Sequence, residues 1–260
     1  MALEEGLRWD INASSSGVIA EQIRPYPRPD EPVQNPTDVI VIRATDGTIT
    51  DTLIEFPSGK QLSFGDPPPG RRLYYPEPAW DLTGDTQVVF GVKDIYEIRL
   101  YSPAGQLKRV ITKPHERKPI TERDKEVVMG YFEAGWIRAG ASAEQVRQAR
   151  DFFHFADYFP AFRTVAPGPA GTIWVRHVLP PSEMSEVEVN SLNYPRGEWG
   201  SREWDVFDAE GRFLGVVTLP RLFSHKLFRD DRIYGIWRDE LQVQYVVRLR
   251  ILGDFGAGVT

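Results

Sequence analysis

Apolar and polar residues alternate with period two along most of the chain, and one phrase of that alternation is written three times. It runs over Asp38–Gly47 and on through Thr48–Pro57, again over Tyr96–Gly105 with Gln106–Pro114, and again over Arg202–Gly211 with Arg212–Pro220. Counted from each glycine, the residue seven before is Ile40, Ile98 or Trp204, and five before is Ile42, Leu100 or Val206. Two after stands Ile49, Leu107 or Phe213. Period-two alternation around a glycine-containing turn predicts a β-hairpin, and its recurrence predicts a row of similar sheets. Ile40, Ile98 and Trp204 are therefore expected to be buried at equivalent places.

A less regular hairpin precedes each copy. Trp9–Ile11 and Gly17–Ile23 flank a Ser-rich turn, Trp80–Leu82 and Gln87–Val92 flank Thr83–Asp85, and Phe162–Val165 and Thr172–Arg176 flank Pro167–Gly171. Leu222–Phe228 and Arg232–Trp237 flank Arg229–Asp231, followed by an alternating run at Val243–Ile251. Turn residues sit at each chain reversal. With the strands of a unit named a, b, c and d, three units are complete and the fourth has a, b and c. The predicted class is all-β: a propeller-like array of about four four-stranded antiparallel blades, the last incomplete, forming a single domain over 1–251. The blades fall at about 7–57, 73–114, 160–220 and 222–251, with Gly-rich 252–260 as a tail. Tandem four-stranded units suit a β-propeller. A β-sandwich also accommodates the strands but does not account for the similarity between units.

Thr121–Tyr158 lacks the alternation and carries two helix-start signals, Thr121-x-x-Asp124 and Ser142-x-x-Gln145. Helices are predicted at about Glu122–Gly135 and Ala143–Phe155, with Phe152, Phe153, Phe155, Tyr158 and Phe159 covering apolar blade edges.

Composition narrows the chemistry. At 41% hydrophobic and 12% aromatic the chain is globular. A formal charge of −6 argues against nucleic acid or an anionic membrane as partner. The absence of cysteine excludes disulfides, thiolate metal sites and a cysteine nucleophile. No apolar run approaches the roughly 18 residues of a membrane span. Met1–Gly6 has neither the basic nor the apolar region of a signal peptide. The chain as written is expected in the cytoplasm; a longer natural N-terminus would change that to the periplasm or the exterior.

Catalytic signatures are sparse. Asp10-x-Asn12-x-Ser14 with Glu21 imitates a calcium loop, but its sixth position is Ser15 instead of Gly and no flanking helices are predicted, so it reads as a turn. His115, His154, His177 and His225 lack zinc-ligand spacing. No P-loop, no G-x-G-x-x-G after a strand and no G-x-S-x-G elbow occurs. No cofactor and no metal are expected.

Several phrases resemble a known family. Trp204–Pro220 with Gly171–Arg176 before it, Ile233–Leu241, Val246–Leu249, and Tyr96–Gly105 followed by Pro119–Thr121 and a helical insert look like bacterial six-bladed β-propellers related to NHL repeats. The resemblance covers most of the chain and implies a propeller. It also implies further blades upstream and, usually, an export signal. It implies no particular chemistry, because such propellers host unrelated functions.

Topology indicates where function sits. In an a-b-c-d meander the a–b and c–d turns share one face, and the b–c loops and d–a crossovers share the other. The second set holds the long segments Arg24–Thr37, Ser58–Arg72, His115–Pro160 and Pro180–Ser201, and long loops on a rigid scaffold carry recognition. Arg8, Arg163 and His225, where strand a comes in from this face, are expected to ring the central channel, with Glu77 near the remaining position. Tyr194 and Trp199, interleaved with arginine, are candidates for stacking on a sugar or peptide. The primary reading is a binding or scaffolding propeller for a protein, peptide or small ligand. A hydrolase or lactonase-like enzyme with carboxylates and a divalent metal at the channel mouth is the second reading, and a truncated piece without independent activity the third. Open blade edges are expected to favour self-association.

Overall fold

The computed structural model describes residues 6–14, 17–25, 37–44, 46–57, 70–191 and 200–252. The first blade is β1 (Gly6–Ala13), β2 (Ile19–Pro25), β3 (Thr37–Arg43) and β4 (Ile49–Pro57), paired antiparallel in sequence order. A short β5 (Arg71–Leu73) precedes the second blade: β6 (Pro78–Leu82), β7 (Val88–Val92), β8 (Glu97–Tyr101) and β9 (Leu107–Thr112). Helices α1 (Glu122–Arg138) and α2 (Ala143–Asp151) follow, then β10 (Phe153–Phe155). The third blade is β11 (Thr164–Pro167), β12 (Ile173–Arg176), β13 (Glu203–Phe207) and β14 (Phe213–Thr218), with α3 (Glu186–Ser191) in its long loop. The fourth is three-stranded: β15 (Phe223–Arg229), β16 (Arg232–Arg238) and β17 (Gln244–Arg250). This is a β-propeller array. The innermost strands of successive blades lie side by side, β1 against β6 and β6 against β11.

The repeated phrase builds the same turn each time. Gly47, Gly105 and Gly211 have φ of 88°, 71° and 84°, a left-handed conformation that glycine adopts without a Cβ penalty. Each glycine N–H donates to the carbonyl three residues back, on Ala44, Ser102 and Asp208 at 2.9, 2.9 and 3.0 Å. The residue four before each glycine pairs with the residue two after it, Arg43 with Ile49, Tyr101 with Leu107 and Phe207 with Phe213. The ladder then skips one residue, so all three hairpins carry the same bulge, which adds twist and bends the outer strand.

Burial follows from blade stacking. Ile40, Ile98 and Trp204 are 0%, 0% and 2% exposed. Ile40, Ile42 and Phe56 of the first blade pack with Trp80, Val88 and Phe90 of the second. On the opposite face of the second blade, Ile98, Leu100 and Ile111 meet Phe162, Val175 and Phe207 of the third. Trp174, Trp204 and Val206 then meet Phe223, Ile233 and Phe228 of the fourth. A blade between two others is covered on both faces. Buried polar groups in the first seam bond to one another: Trp80 Nε1 donates to Gln22 (2.9 Å), and Gln22 Nε2 and Arg24 Nε donate to Asp38 (2.7 and 2.8 Å).

Both predicted helix starts are capping boxes, Thr121 with Asp124 and Ser142 with Gln145. The second helix is shorter than expected. It stops at Asp151, and Phe153–Phe155 pairs parallel to β5. The cause is local packing: Phe153 turns onto Phe132 and Trp136 of α1 at ring distances of 4.8 and 5.7 Å, which a continuing helix would not allow. Phe155 joins the same cluster and Phe159 is buried, whereas Phe152 and Tyr158 are exposed. Asp124 also accepts from Ser182 N (3.0 Å), tying α1 to the long loop of the third blade on one face of the array. Among the described residues no helix is long and apolar enough to cross a membrane.

Candidate functional site

Strand β13 alternates Trp204 and Val206 with Glu203, Asp205 and Phe207. Trp204 and Val206 point to the fourth blade, so Asp205 and Phe207 point to the second. Asp205 is wholly buried at the bottom of a cleft of about 290 Å³ that opens on the long-loop face between these blades. Three donors converge on it: Tyr96 Oη at 2.5 Å, Lys113 Nζ at 2.8 Å from both oxygens, and His177 Nε2 at 2.9 Å. Tyr96 leads into β8, Lys113 follows β9 and His177 follows β12, so each comes from a strand end on the same face.

Burial alone would push the Asp205 carboxyl up, but the bonds from His177, Lys113 and Tyr96 outweigh it and hold the group down at about 2. The reverse applies to Tyr96. Burial, then the bond to Asp205 and its charge, raise the phenol, which stays protonated as a fixed donor. His177 is held from both sides, its Nδ1 lying 3.4 Å from Glu203. The second imidazole lining the cleft, His115, is kept below the ordinary value first by burial and then by the positive charges of His177, Lys113, Lys118 and Arg117. It is therefore neutral at pH 7 and able to accept a proton. Pro114, Phe159, Pro160 and Leu179 complete an apolar wall. The cleft thus sets one apolar wall against a dense group of ionisable side chains, and a concavity on which polar groups converge is the usual place of a small-molecule site.

The residues singled out from sequence are distributed differently. Arg8 lies on the first blade and pairs with Glu21 at 3.1 Å; Arg43 engages the same carboxylate. Glu21 thus serves arginines, and Ser14 Oγ accepts from Val18 N (3.1 Å), as in a turn. Glu77 lies 4.0 Å from Lys93. Arg163 and His225 are brought to the seam between the third and fourth blades. A Cβ on Gly200 would stand 3.0 Å from Arg163 Cγ and 2.7 Å from Arg176 Nε, so both arginines pass close over this glycine. His225 meets Trp204 edge-on and Phe228 at a tilt, at ring distances of 5.3 and 4.5 Å. Burial first, then the charges of Arg176 and Lys226, lower it to about 4. Tyr194 and Trp199 lie outside the described residues. Among the described residues no group of three or more His, Asp or Glu is arranged to hold a metal ion.

The sequence reasoning did not find Asp205, Tyr96, Lys113, His115 or His177. The available signal was that Tyr96, Lys113, His115 and His177 flank strand ends on the long-loop face, while Asp205 sits in mid-strand.

No protein-family model matches the chain, nor does any curated protein. Solved structures do resemble it. A puromycin hydrolase aligns over 94% of this chain and 27% of its own at 12% identity, with a TM-score of 0.40. A streptogramin B lyase aligns over 97% and 71% at 12% identity, with a TM-score of 0.37. A virginiamycin B lyase from Staphylococcus aureus, in a catalytically inactive form with quinupristin, aligns over 98% and 59% at 12% identity, with a TM-score of 0.35. The chain thus spans about a quarter of the first and three fifths of the last. The propeller assignment stands on the strand order and seams of the chain itself.

Proposed function

We propose that the protein is a ligand-binding β-propeller whose site is the cleft between the second and third blades. The observation that carries this reading is Asp205, buried beneath an open cleft and held by donors from two blades. A purely structural joint has no need of an open space above it. The occupant is a small molecule or a side chain of a peptide, with its apolar part against Phe159 and Leu179 and its polar part toward His115, His177 and Glu203. Membership of the six-bladed, NHL-related propellers is part of the reading and is supported by the repeated phrases. Ligand-observed NMR of a small-molecule and short-peptide collection tests it, with His115→Ala and Glu203→Gln as variants at the cleft wall that leave Asp205 intact. The expected outcome is a ligand weakened about tenfold or more by both substitutions, equivalent to about 1.4 kcal/mol, while the thermal melt is unchanged. A collection whose ligands all ignore both substitutions overturns it.

One observation favours a second reading, an acid–base enzyme in the same cleft. His115 is a neutral base beside the His177–Asp205 pair, and general bases are tuned in this manner. Turnover of ester, lactone and β-elimination probes that disappears in His115→Ala would establish it. Absence of turnover, with binding retained, leaves the binding reading alone.

A further inference from the structure

The fourth blade has three strands, and β17 is its outer edge. In the other three blades the place beside the third strand is taken. There β4, β9 and β14 set Ile54, Ile111 and Val217 against Ile40, Ile98 and Trp204. The bonds at the two ends of β17 show which of its backbone groups are already used. Asp239 N–H donates to Val243 O (3.2 Å), and Ile251 N–H donates to Asp231 O (2.8 Å). In an antiparallel ladder, residues that bond to one neighbour alternate with residues that point away from it. The odd-numbered residues therefore bond to β16, and Gln244, Val246, Arg248 and Arg250 turn their N–H and C=O groups outward. Among the described residues no backbone hydrogen bond reaches this edge.

The two sides of β17 differ in chemistry. Val247 and Leu249 face the third blade and, with Val217, are only partly covered. On the opposite side Val246 stands beside Ile236 and Arg248 beside Tyr234, with Leu227 next to Tyr234. Val246 and Leu227 are 83% and 49% exposed. The strands carry Arg229, Arg232, Arg248 and Arg250 on this side and no acid. Asp231 of the turn engages Arg232 and Arg250 at 3.4 and 3.0 Å. Arg248 is exposed and, among the described residues, pairs with no carboxylate.

We infer that β17 takes an added strand from a partner protein: an extended segment, apolar at alternate positions and acidic at those between. Main-chain groups of such a strand supply affinity and its alternating side chains supply specificity. The apolar residues lie along Val247 and Leu249 and cover the open end of the seam with the third blade. The acidic residues lie along Arg248, an opposite-charge pair across the ladder. A second copy suits this edge poorly, because pairing two β17 strands collects Arg248 and Arg250 of both copies on one side of a shared sheet with no strand acid among them. The inference does not rest on the Asp205 cleft, and none of the residues of that cleft enters its test.

The test adds a short peptide alternating valine and glutamate to the whole protein and follows backbone amide exchange by NMR. The controls are a peptide alternating valine and lysine, and one with the same valines and glutamates in two blocks. Strand addition is expected to slow exchange at Val246 and Arg248, whose N–H groups point outward, and to leave Val247 and Leu249, already bonded to β16, unchanged. Arg248→Glu is expected to weaken the valine–glutamate peptide about fivefold or more and to strengthen the valine–lysine one, as a cross-strand charge pair changes sign. Val246→Pro removes one outward N–H from an edge strand, where proline is tolerated, and is expected to weaken the valine–glutamate peptide as well; thermal melts confirm folding of both variants. A valine–glutamate peptide that does not saturate, equal binding of either control, or protection without the alternation overturns the inference. So does slow exchange at Val246 and Arg248 before any peptide is added. Independent of protein concentration, it shows the chain filling its own edge; rising with concentration, it shows a second copy there.

Discussion

Asp205 is an acid whose ionised form the fold prefers. Its folded value of about 2 lies below the ordinary 3.8, so its contribution to stability is complete above pH 4 and is lost as pH falls through about 2. Asp205→Asn leaves Lys113 and His177 without their shared carboxylate and is expected to cost about 3 kcal/mol at pH 7. Denaturant melts at pH 7 and pH 2.5 should show the difference between variant and parent shrinking at the lower pH. Asp81 behaves oppositely. Burial raises it to about 6, against a backbone bond from Leu82 that lowers it, so above pH 6 the folded state carries a disfavoured charge. Asp81→Asn is expected to stabilise by about 1–3 kcal/mol at pH 7, with the gain fading as pH drops from 6 to 4 in the same assay. Neither residue could be assigned from sequence. Asp205 alternates with Trp204 and Val206, and period two reads such a residue as solvent-facing. That rule holds for a sheet with one wet face, and a blade between two others has none. Tyr96 and Lys113 lie just outside their strands, where the alternation gives no direction, and His115 and His177 are brought together by the blade seam without any spacing in sequence that marks a pair.

The hairpin units were the most legible elements. Glycines with left-handed backbone recur at one register, and the flanking isoleucines and tryptophan are buried at matching places. The bulge was not legible, because an extra residue in one strand leaves no mark on the apolar spacing before the glycine. Leu107 and Phe213, two residues after the glycine and directly before the skipped residue, are half exposed. Capping boxes located both helix starts, whereas the end of α2 was set by Phe153 packing on α1, a tertiary contact without a local signal. Asp124 accepts from Thr121 N (2.9 Å) and Ser182 N (3.0 Å), so it closes the helix and fastens it to the loop. Thr121→Ala should cost about 1 kcal/mol through the cap alone. Asp124→Ala removes both bonds and should raise amide exchange in α1 and also in Ser182–Met184, an effect that Thr121→Ala lacks. Equal exchange patterns in the two variants would separate the helix from the loop.

Across the whole molecule, stability resides in three seams of different character. Two carry buried polar chains, one through Gln22 and Asp38 and one through Asp205. The third is dominated by Trp174, Trp204 and Phe228, with Trp174 and Phe228 rings 4.7 Å apart. Trp204→Ala is expected to cost about 3–5 kcal/mol and to loosen the fourth blade before the others. Hydrogen exchange should then accelerate in Phe223–Arg238 well ahead of Ile19–Phe56. The same substitution opens the pocket around His225, so its imidazole should titrate upward from about 4 toward the ordinary value. An unchanged His225 titration would mean that Trp204 is not what shields it.

The polar chains also act as addresses. Trp80 finds its acceptor only on the first blade, and Asp205 finds Tyr96 and Lys113 only on the second. Although the hairpins share one design, the blades are not interchangeable bricks. A rearranged chain that set the first blade against the third would meet Asp205 with Asp38 and Glu55, which stand where Tyr96 and Lys113 do when counted from the turn glycine, so that acids would face an acid. Copying a blade is easy at the level of its turn, yet inserting the copy is not. Any lengthening or shortening of this array must move whole seams, donor and acceptor together.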